Sequence, residues 1–523
     1  MTDQAAVSKD ENRRLFRKGV LAVALLAWGA VAAQADVKLP AIFSEHMVVQ
    51  AEAEVPVWGW ADTDEEITVS LAGQTQSTVA GADGKWKLSI GKLKDGGPHT
   101  LVVKGKNTLT VNDVLVGEVW LASGQSNMAM TVDGALNFEQ EKAAANLPQV
   151  RMFNVGRSPR PQPQADCQGT WLVCDASTVG KFSAAAYFFG RELHRELKTP
   201  VGLVNSSYGG TAIEAWTSLD AQTRLPEYAT ISESWVKSDA EPWDPATAEK
   251  DYQTRLAQWK KVAQQARAAG KPVPRAPRKP VQSILNQNHP ANLFNGMIAP
   301  IVPYAMRGAI WYQGEGNSTK PFANLYGLQL KTLIQDWRTR WGYDFPFAWV
   351  QLPDFRRPQQ APAEPSTWAV VREQMLETLA VPNTGMAIAL GLGEAGDIHP
   401  RNKQGVGQRL AQWALATVYD RTGESSGPLP AGHKIIGREI VVSFTHADGG
   451  LVAKDGEVRG FTIAGSDKKF VWANALIEGD KVIVSSPDVP QPAAVRYAWA
   501  DNPIWSLQNG AGLPASPFRT DDW

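Results

Sequence analysis

The chain has 523 residues, which at roughly 150 residues per domain suggests about three domains. Lysine plus arginine number 52 and aspartate plus glutamate 53, so the net charge of −1 gives no electrostatic reason to expect a nucleic acid or an anionic membrane as a partner. The 43% of hydrophobic residues can build sizeable cores, while 45 Gly and 34 Pro predict many turns and argue against a long helical bundle.

The first 35 residues have the pattern of an export signal. Arg13 and Arg14 open a basic stretch that precedes the apolar run 20–32, and the small-residue motif at 33–35 fits a cleavage site. The run of about 13 residues is too short to span a bilayer comfortably. We therefore expect an exported protein, periplasmic or secreted, that has no membrane contact in its mature form.

The order of the predicted elements divides the rest of the chain into three parts. Residues 36–115 contain short strands between turn clusters, which is typical of a small β-sandwich. Residues 116–425 alternate apolar strands with helices, which predicts the α/β class with a parallel sheet covered by helices on both faces. Residues 218–290 interrupt that alternation and predict an insertion or cap beside the active site, and residues 430–523 are β-rich again.

Individual elements are predicted from apolar runs and helical periodicity. The predicted strands of the first part are 55–60, 66–71, 86–90 and 100–103. Those of the α/β part are 118–122, 151–155, 201–205, 308–312, 347–352 and 386–392, and its predicted helices are 184–197, 324–341, 367–379 and 403–419. The insertion has one predicted helix at 245–269, and the last part has predicted strands at 439–444, 458–463, 470–473, 481–484 and 495–498.

Four predicted strands of the α/β part end in loops rich in glycine and polar residues. In open α/β sheets, ligands bind outside the carboxyl ends of the strands, so these loops are expected to converge. They carry, in chain order, Ser126, the pair Gly209-Gly210, an amide and carboxylate loop, and the pair Asp397 and His399. These residue types are the components of acyl transfer through a serine nucleophile.

The chemistry requires each component. A serine hydroxyl becomes a nucleophile when an imidazole takes its proton, and a carboxylate holds the imidazole in the right tautomer. The tetrahedral intermediate needs donors aimed at its oxyanion, each worth roughly 10²–10³ in rate. The backbone N–H groups of Ser126 and of Gly209 or Gly210 can serve, with a side-chain amide from Gln313 or Asn317 to complete the set.

Each residue also has a purely structural explanation. Ser126 alone is typical of a helix N-cap, Gly209-Gly210 of a tight turn, and Glu315 of a carboxylate that binds loop amides. Among the seven histidines, only His399 has an acidic residue two positions before it at a predicted strand end. The joint pattern therefore favours catalysis.

Four motifs, at 124–128, 209–216, 311–317 and 397–400, together resemble the sialate O-acetylesterase family of SGNH-type hydrolases. The resemblance covers essentially the whole mature chain. It implies a flavodoxin-like three-layer catalytic domain with flanking β-sandwich regions, no metal or other cofactor, and release of acetate from O-acetylated sugars. It also implies Ser126 as the nucleophile, His399 as the base and Asp397 as its acid, with an oxyanion hole from Ser126, Gly209 or Gly210, and Gln313.

Two positions depart from the broader SGNH pattern. That pattern has an aspartate three residues before the histidine, where this chain has Gly396; Asp397 is the first choice for the acid and Glu394 the second. The asparagine of the third SGNH block is replaced, so Gln313 or Asn317 must take its place. Residues that line the substrate loops are then expected to be Gln125, Glu315 and Asn317.

The substrate and two competing functions stay open. Members that resemble this chain act on acetylated sialic acids or on acetylated plant cell-wall polysaccharides such as xyloglucan, and the 20 tryptophans suit a sugar ligand, although most are expected in the core. A glycoside hydrolase would instead pair Glu315 with a second carboxylate, Asp354 or Glu373. A non-catalytic glycan-binding protein would use Trp-rich β-faces.

The two cysteines allow one further expectation. Cys167 and Cys174 could close a short disulfide in an oxidising compartment, although the spacing does not give the geometry. Two cysteines cannot build a metal cluster. The expected partner is an O-acetylated oligosaccharide or polysaccharide, and the sequence leaves the oligomeric state open.

Overall fold

The computed structural model describes residues 36–523, so the predicted export signal in residues 1–35 lies outside the described part of the chain. The first strands are β1 (Val48–Gln50), β2 (Val55–Trp60), β3 (Glu66–Leu71), β4 (Gln74–Val79), β5 (Lys85–Ile90), β6 (Gly96–Lys104) and β7 (Thr108–Gly124). β2 pairs with β5, while β3 pairs with β4 and β6, and β6 pairs with β7. Alternate residues of β2 are buried, as expected for a sheet with one face on a core. The four predicted strands of this part all form, whereas short β1 and polar, exposed β4 have no predicted counterpart.

Strand β7 belongs to two sheets. Its first half pairs with antiparallel β6, and residues 115–117 pair with parallel β1. From Glu118 it pairs with the parallel strand that starts at Val201, and from Trp120 with the one that starts at Gly308. The predicted strand 118–122 is therefore the buried centre of a much longer strand. The predicted boundary between residues 115 and 116 falls inside β7, and the division into domains stays a prediction.

The remaining strands of the large sheet are β8 (Asn146–Asn154), β9 (Trp171–Asp175), β10 (Val201–Ser207), β11 (Gly308–Tyr312), β12 (Phe347–Gln351) and β13 (Thr384–Ile388). Their order is β13-β12-β11-β7-β10-β8-β9, and all these pairs are parallel except β8 with β9. β11 and β12 are buried along their whole length, as expected for a parallel sheet covered on both faces. The predicted strand 386–392 is too long at its end, because a turn with Gly391 at φ 79° follows β13.

Helices cover both faces of this sheet. The helices are α1 (Ser126–Ala129), α2 (Phe138–Ala144), α3 (Ala184–Leu197), α4 (Leu219–Gln222), α5 (Tyr228–Ala240), α6 (Pro245–Ala268), α7 (Phe322–Trp341), α8 (Thr367–Glu377) and α9 (Lys403–Thr417). α3 and α9 pack on the face that carries Trp120 and Tyr312. α7 and α8 pack on the opposite face with Trp311 and Trp349. The mixed α/β class is therefore confirmed, and these tryptophans are core residues.

The insertion contains α5 and α6. Asp244 caps α6, since its carboxylate accepts hydrogen bonds from Ala246 N and Thr247 N, both at 3.1 Å. α6 is mostly exposed, with only Ala263 buried. The proline-rich stretch 272–280 that follows has no regular secondary structure.

The last part of the chain is β-rich, as predicted. Its strands are β14 (Leu429–Ile436), β15 (Glu439–Thr445), β16 (Leu451–Ala453), β17 (Phe461–Ala464), β18 (Val471–Trp472), β19 (Asn474–Glu478), β20 (Lys481–Ser485), β21 (Ala494–Tyr497), β22 (Leu507–Asn509) and β23 (Phe518–Arg519). They form two four-stranded sheets, β14-β15-β20-β19 and β18-β17-β21-β23, and the pair β16-β22. Buried Arg372 of α8 donates to Ala500 O at 2.7 Å, which attaches this part to the α/β part.

Two further expectations concern cysteines and membrane contact. Cys167 and Cys174 are both free thiols, and Cys174 is buried in β9. Across residues 36–523, no helix has the length and hydropathy needed to cross a membrane. The same residues contain no group of three or more histidine, cysteine or acidic side chains arranged to hold a metal ion.

Candidate active site

Ser126 follows the carboxyl end of β7 by two residues. The turn depends on Gly124, which has φ 137° and packs so closely on β11 that a Cβ there would lie 2.2 Å from Tyr312 O. Gln125 N donates to the same carbonyl at 3.0 Å. The end of β7 is thereby fixed to the end of β11, and α1 begins at the half-buried Ser126.

His399 meets Ser126 from the loop between β13 and α9. His399 Nε2 lies 2.8 Å from Ser126 Oγ, within hydrogen-bond distance. In the tautomer with the proton on Nδ1, Nε2 accepts the serine proton. The structure thus brings together the two residues that the strand-end argument predicted to converge.

The surroundings of His399 favour the neutral form of its imidazole. Burial lowers the pKa of His399 from 6.5, and the positive charges of Lys403 and Arg275 lower it further, against the opposing effect of Asp397. A neutral imidazole can accept a proton, whereas a protonated one cannot. The surroundings therefore favour a base at neutral pH.

Asp397 is the carboxylate beside His399. Its Oδ1 lies 3.5 Å from His399 Nδ1 and accepts the backbone N–H of His399 at 2.9 Å. The alternative acid, Glu394, accepts the backbone N–H of Arg401 at 2.8 Å and so holds the loop. Of the two predicted acids, Asp397 is the one whose carboxylate lies at ion-pair distance from the imidazole.

The glycine pair after β10 lies against the nucleophile. A Cβ on Gly209 would lie 3.3 Å from Ser126 Cβ, so only a glycine leaves this space free. The carbonyls of Gly209 and Gly210 accept hydrogen bonds from Gln287 and Asn288 at 3.3 and 3.1 Å. Within residues 36–523, the N–H groups of Ser126 and Gly209 donate to no protein acceptor, so both are available to an oxyanion.

Gln313 has a different place from the one expected. Its side chain is fully buried, and Nε2 faces three acceptors, in Gln125 at 3.3 Å, Thr211 at 3.1 Å and Asn317 at 2.8 Å. An amide nitrogen carries two hydrogens, so none remains for an oxyanion. The expectation that Gln313 donates to the oxyanion is therefore not met, because this amide holds the loops together.

The two substrate-loop candidates with amide groups, Asn317 and Gln125, also bind other loops of the scaffold. Asn317 accepts from Ile213 N at 3.0 Å and donates to buried Glu214 at 2.9 Å. Gln125 accepts from Gly316 N at 3.0 Å. Both side chains are buried, so the structure places them in the loop framework and not on an open substrate surface.

Glu315 is buried next to the nucleophile's neighbour, Asn127. Its Oε1 accepts from Asn127 Nδ2 at 2.5 Å, while Oε2 is buried without a hydrogen-bond partner. Burial raises the pKa of Glu315. Neither second carboxylate of the glycosidase alternative joins it, since Glu373 forms a bidentate ion pair with Arg519 at 2.7 and 2.9 Å, and Asp354 accepts from Gly391 N at 2.8 Å.

Two residues of the site were not singled out from the sequence. Asn127 donates to Ile398 O at 3.0 Å and accepts from Lys403 Nζ at 2.6 Å. Lys403 is fully buried, and burial lowers its pKa to about 7 although Glu315, Glu394 and Asp397 oppose that shift. The sequence signal was the position of Lys403 four residues after His399, but a lysine at a helix start is usually solvated.

The insertion reaches the edge of the site. Arg278 Nη2 would lie 3.4 Å from a Cβ on Gly210, and Arg275 is close enough to His399 to lower its pKa. Both arginines are exposed, and neither forms an ion pair within residues 36–523. The predicted insertion thus contributes two unpaired cations beside the glycine pair and the histidine.

Comparisons with known proteins place the chain among carbohydrate esterases. The family described as carbohydrate esterase, sialic acid-specific acetylesterase, matches residues 116–241 and 283–416, which include every residue of the site except the two arginines. The sialate O-acetylesterase of Rattus norvegicus is 28% identical over 96% of this chain and 97% of its own length, and that of Homo sapiens is 28% identical over 95% of each. A crystal structure of a carbohydrate acetylesterase from Xanthomonas citri is 36% identical, with a TM-score of 0.78 over 93% of this chain and 100% of its own.

Proposed function

Because the chain belongs to the sialic acid-specific acetylesterase family of carbohydrate esterases, we propose that it removes acetyl groups from O-acetylated glycans through a Ser126–His399–Asp397 acyl-enzyme mechanism. The observation that carries the proposal is the distance of 2.8 Å between His399 Nε2 and Ser126 Oγ. A histidine that is held neutral at this distance can activate the serine.

In the first half-reaction, Ser126 Oγ attacks the acetyl carbonyl carbon while His399 Nε2 takes the serine proton. The N–H groups of Ser126 and Gly209 stabilise the oxyanion that forms. When the tetrahedral intermediate collapses, the bond between the acetyl carbon and the sugar oxygen breaks. His399 gives its proton to that oxygen, which leaves the acetyl group on Ser126 and frees the sugar hydroxyl.

In the second half-reaction, water replaces the sugar. His399 takes a proton from the water, whose oxygen attacks the acetyl carbon of the acyl-enzyme. Acetate leaves when the bond to Ser126 Oγ breaks, and His399 returns its proton to that oxygen. Asp397 holds the imidazole and stabilises its protonated form in both half-reactions.

Acetate release by Ser126→Ala tests this function. Loss of the nucleophile should reduce release from a chromogenic acetyl ester by at least about 10³-fold, because removal of a triad member leaves only binding and oxyanion stabilisation. Ser466→Ala, which changes an exposed serine of the last part, is the matched control. Acetate release by Ser126→Ala at the wild-type rate would overturn the proposal.

For the catalytic part, we infer the flavodoxin-like, three-layer SGNH arrangement. Support comes from the five strands β10-β7-β11-β12-β13, whose chain order reads 2-1-3-4-5 across the sheet. Ser126 follows the first of these strands and lies where the chain order reverses, which is the usual ligand site of such sheets. β8 and β9 extend the sheet beyond β10.

For the substrate, we propose an anionic sugar such as O-acetylated sialic acid in preference to neutral acetylated xyloglucan. The two unpaired cations Arg275 and Arg278 at the edge of the site support this choice, since an exposed guanidinium recognises a carboxylate well. Acetate release from the two substrates, measured side by side, tests the choice. Faster release from acetylated xyloglucan would overturn it.

We further propose that the protein is exported, because residues 1–35 have the pattern of a cleaved signal. N-terminal sequencing of the protein recovered from the periplasm or the medium tests this proposal. A mature N-terminus at residue 36 is the expected result, whereas recovery of the intact chain from the cytoplasm alone would contradict it.

A further inference from the structure

A buried network beside the catalytic pair has no step in the mechanism. Lys403 Nζ donates to Asn127 Oδ1 at 2.6 Å, and Asn127 Nδ2 donates to Glu315 Oε1 at 2.5 Å. No direct ion pair joins Lys403 to Glu315 among residues 36–523, so the amide of Asn127 connects the two charges. These three residues are the Lys403–Asn127–Glu315 network.

The network joins the loops that carry the nucleophile and the base. Asn127 is the residue after Ser126, and its Nδ2 also donates to Ile398 O, the carbonyl directly before His399, at 3.0 Å. Lys403 begins α9, and Glu315 lies in the loop after β11. The side chain of Asn127 therefore connects the residue after Ser126 to the residue before His399.

The two charges determine how this amide is oriented. An ammonium only donates and a carboxylate only accepts, so Oδ1 of Asn127 must face Lys403 and Nδ2 must face Glu315. With its second hydrogen on Ile398 O, the amide uses both of its donors. Reversal of the amide would put donor against donor and acceptor against acceptor, which a buried site does not tolerate.

We propose that Lys403 is a positioning residue for the esterase reaction, which holds Ser126 and His399 in their reacting geometry through Asn127, with Glu315 as its counter-charge. This inference rests on the proposed function of the Ser126–His399 pair. Removal of the ammonium leaves the buried Glu315 carboxylate uncompensated, including its unpaired Oε2. The amide then loses the partner that fixes its oxygen.

Several charged and titratable groups face Lys403. Glu315 and Tyr312 approach from the end of β11, with Nζ 5.1 Å from the centre of the Tyr312 ring. Glu394 and Asp397 approach from the loop after β13. The charge of Lys403 is also one of the groups that lower the pKa of His399, so its removal raises that pKa. Loss of the Lys403 charge should therefore shift the pH dependence of the reaction, which a change in packing alone does not do.

Lys403→Met in the full chain tests the proposal, with a chromogenic acetyl ester as substrate. Methionine has a similar length but no charge. We expect kcat to fall between about 10- and 100-fold with little change in KM, since small displacements of reacting groups have effects of this size. The acid limb of the kcat/KM profile should move to higher pH. Lys331→Met, at an exposed position of α7, is the matched control.

The double variant Lys403→Met/Glu315→Gln separates charge coupling from packing. It leaves no lone buried charge, so kcat should recover at least about threefold over Lys403→Met. If Lys403→Met fails to fold, the acid limb of the kcat/KM profile is measured on the double variant instead, and its shift still tests the proposal. A kcat in Lys403→Met within twofold of wild type, or an unshifted acid limb in a folded variant, overturns the proposal. Ser126→Ala assayed in parallel distinguishes this result from failure of the esterase function itself.

Discussion

His399 Nε2 lies 2.8 Å from Ser126 Oγ although 273 positions separate the two residues in the chain. The contact exists because β7 and β13 end at the same edge of one parallel sheet, so loops that are remote in sequence converge. The activity of the enzyme should therefore depend on the protonation of His399 and on the residues that hold this contact.

The pH dependence of catalysis should follow the lowered pKa of His399. Neutral imidazole is the active form, and a lower pKa keeps it neutral down to a more acidic pH. We therefore expect the acid limb of kcat/KM to have its midpoint below pH 6.5. Rates for a chromogenic acetyl ester between about pH 4 and pH 8 would measure it. A midpoint above pH 6.5 would mean that the charge of Asp397 outweighs burial.

Paired substitutions should identify the acid of the triad. Asp397→Asn removes the charge beside His399 Nδ1 and should lower kcat at least about tenfold. Glu394→Gln keeps an acceptor for Arg401 N and should change kcat less than Asp397→Asn does. Steady-state kinetics of both variants decide the point. A larger loss in Glu394→Gln would assign the role to Glu394.

The backbone of β11 lies so close to Gly124 that any side chain at this position should destabilise the protein. Gly124→Ala places a Cβ 2.2 Å from Tyr312 O at φ 137°, and we expect a loss of about 2–4 kcal/mol in the free energy of unfolding. Gly73→Ala is the matched control, because Gly73 also has positive φ but no atom within 4 Å of its Cβ site. Denaturant unfolding of both variants measures the difference. Equal losses would show that backbone strain alone, without the clash, accounts for the effect.

The two arginines of the insertion should affect the binding of an anionic sugar, and the charge of Arg275 also contributes to the lowered pKa of His399. Arg275→Ala/Arg278→Ala should raise KM for O-acetylated sialic acid about 2- to 10-fold, the range expected from exposed ion pairs. KM for a small neutral acetyl ester should stay unchanged. Lys271→Ala, in the same exposed stretch, is the control. An equal KM increase for both substrates would argue against carboxylate recognition.

The sequence predicted elements that depend on local pattern and missed contacts that depend on packing. β11 has the predicted bounds because its apolar run is buried on both faces, and the loops after β7 and β13 meet as strand-end logic requires. Gln313 was expected to face the oxyanion, but three acceptors from other loops surround its amide. Lys403 was missed because the burial of a lysine depends on Asn127 and Glu315, which lie far away in the chain.

Strand β7 gives the nucleophile a rigid mechanical connection to the N-terminal sheet. The same backbone that pairs with β6 continues to Gly124, two residues before Ser126. A fragment that ends at residue 115 would lack the residues of β7 that follow. Backbone hydrogen-bonding groups of β1 and β6 that pair with those residues would then have no partners. Because they share β7, the N-terminal sheet and the catalytic sheet should unfold in one cooperative transition. Unfolding of the N-terminal sheet should then displace Ser126.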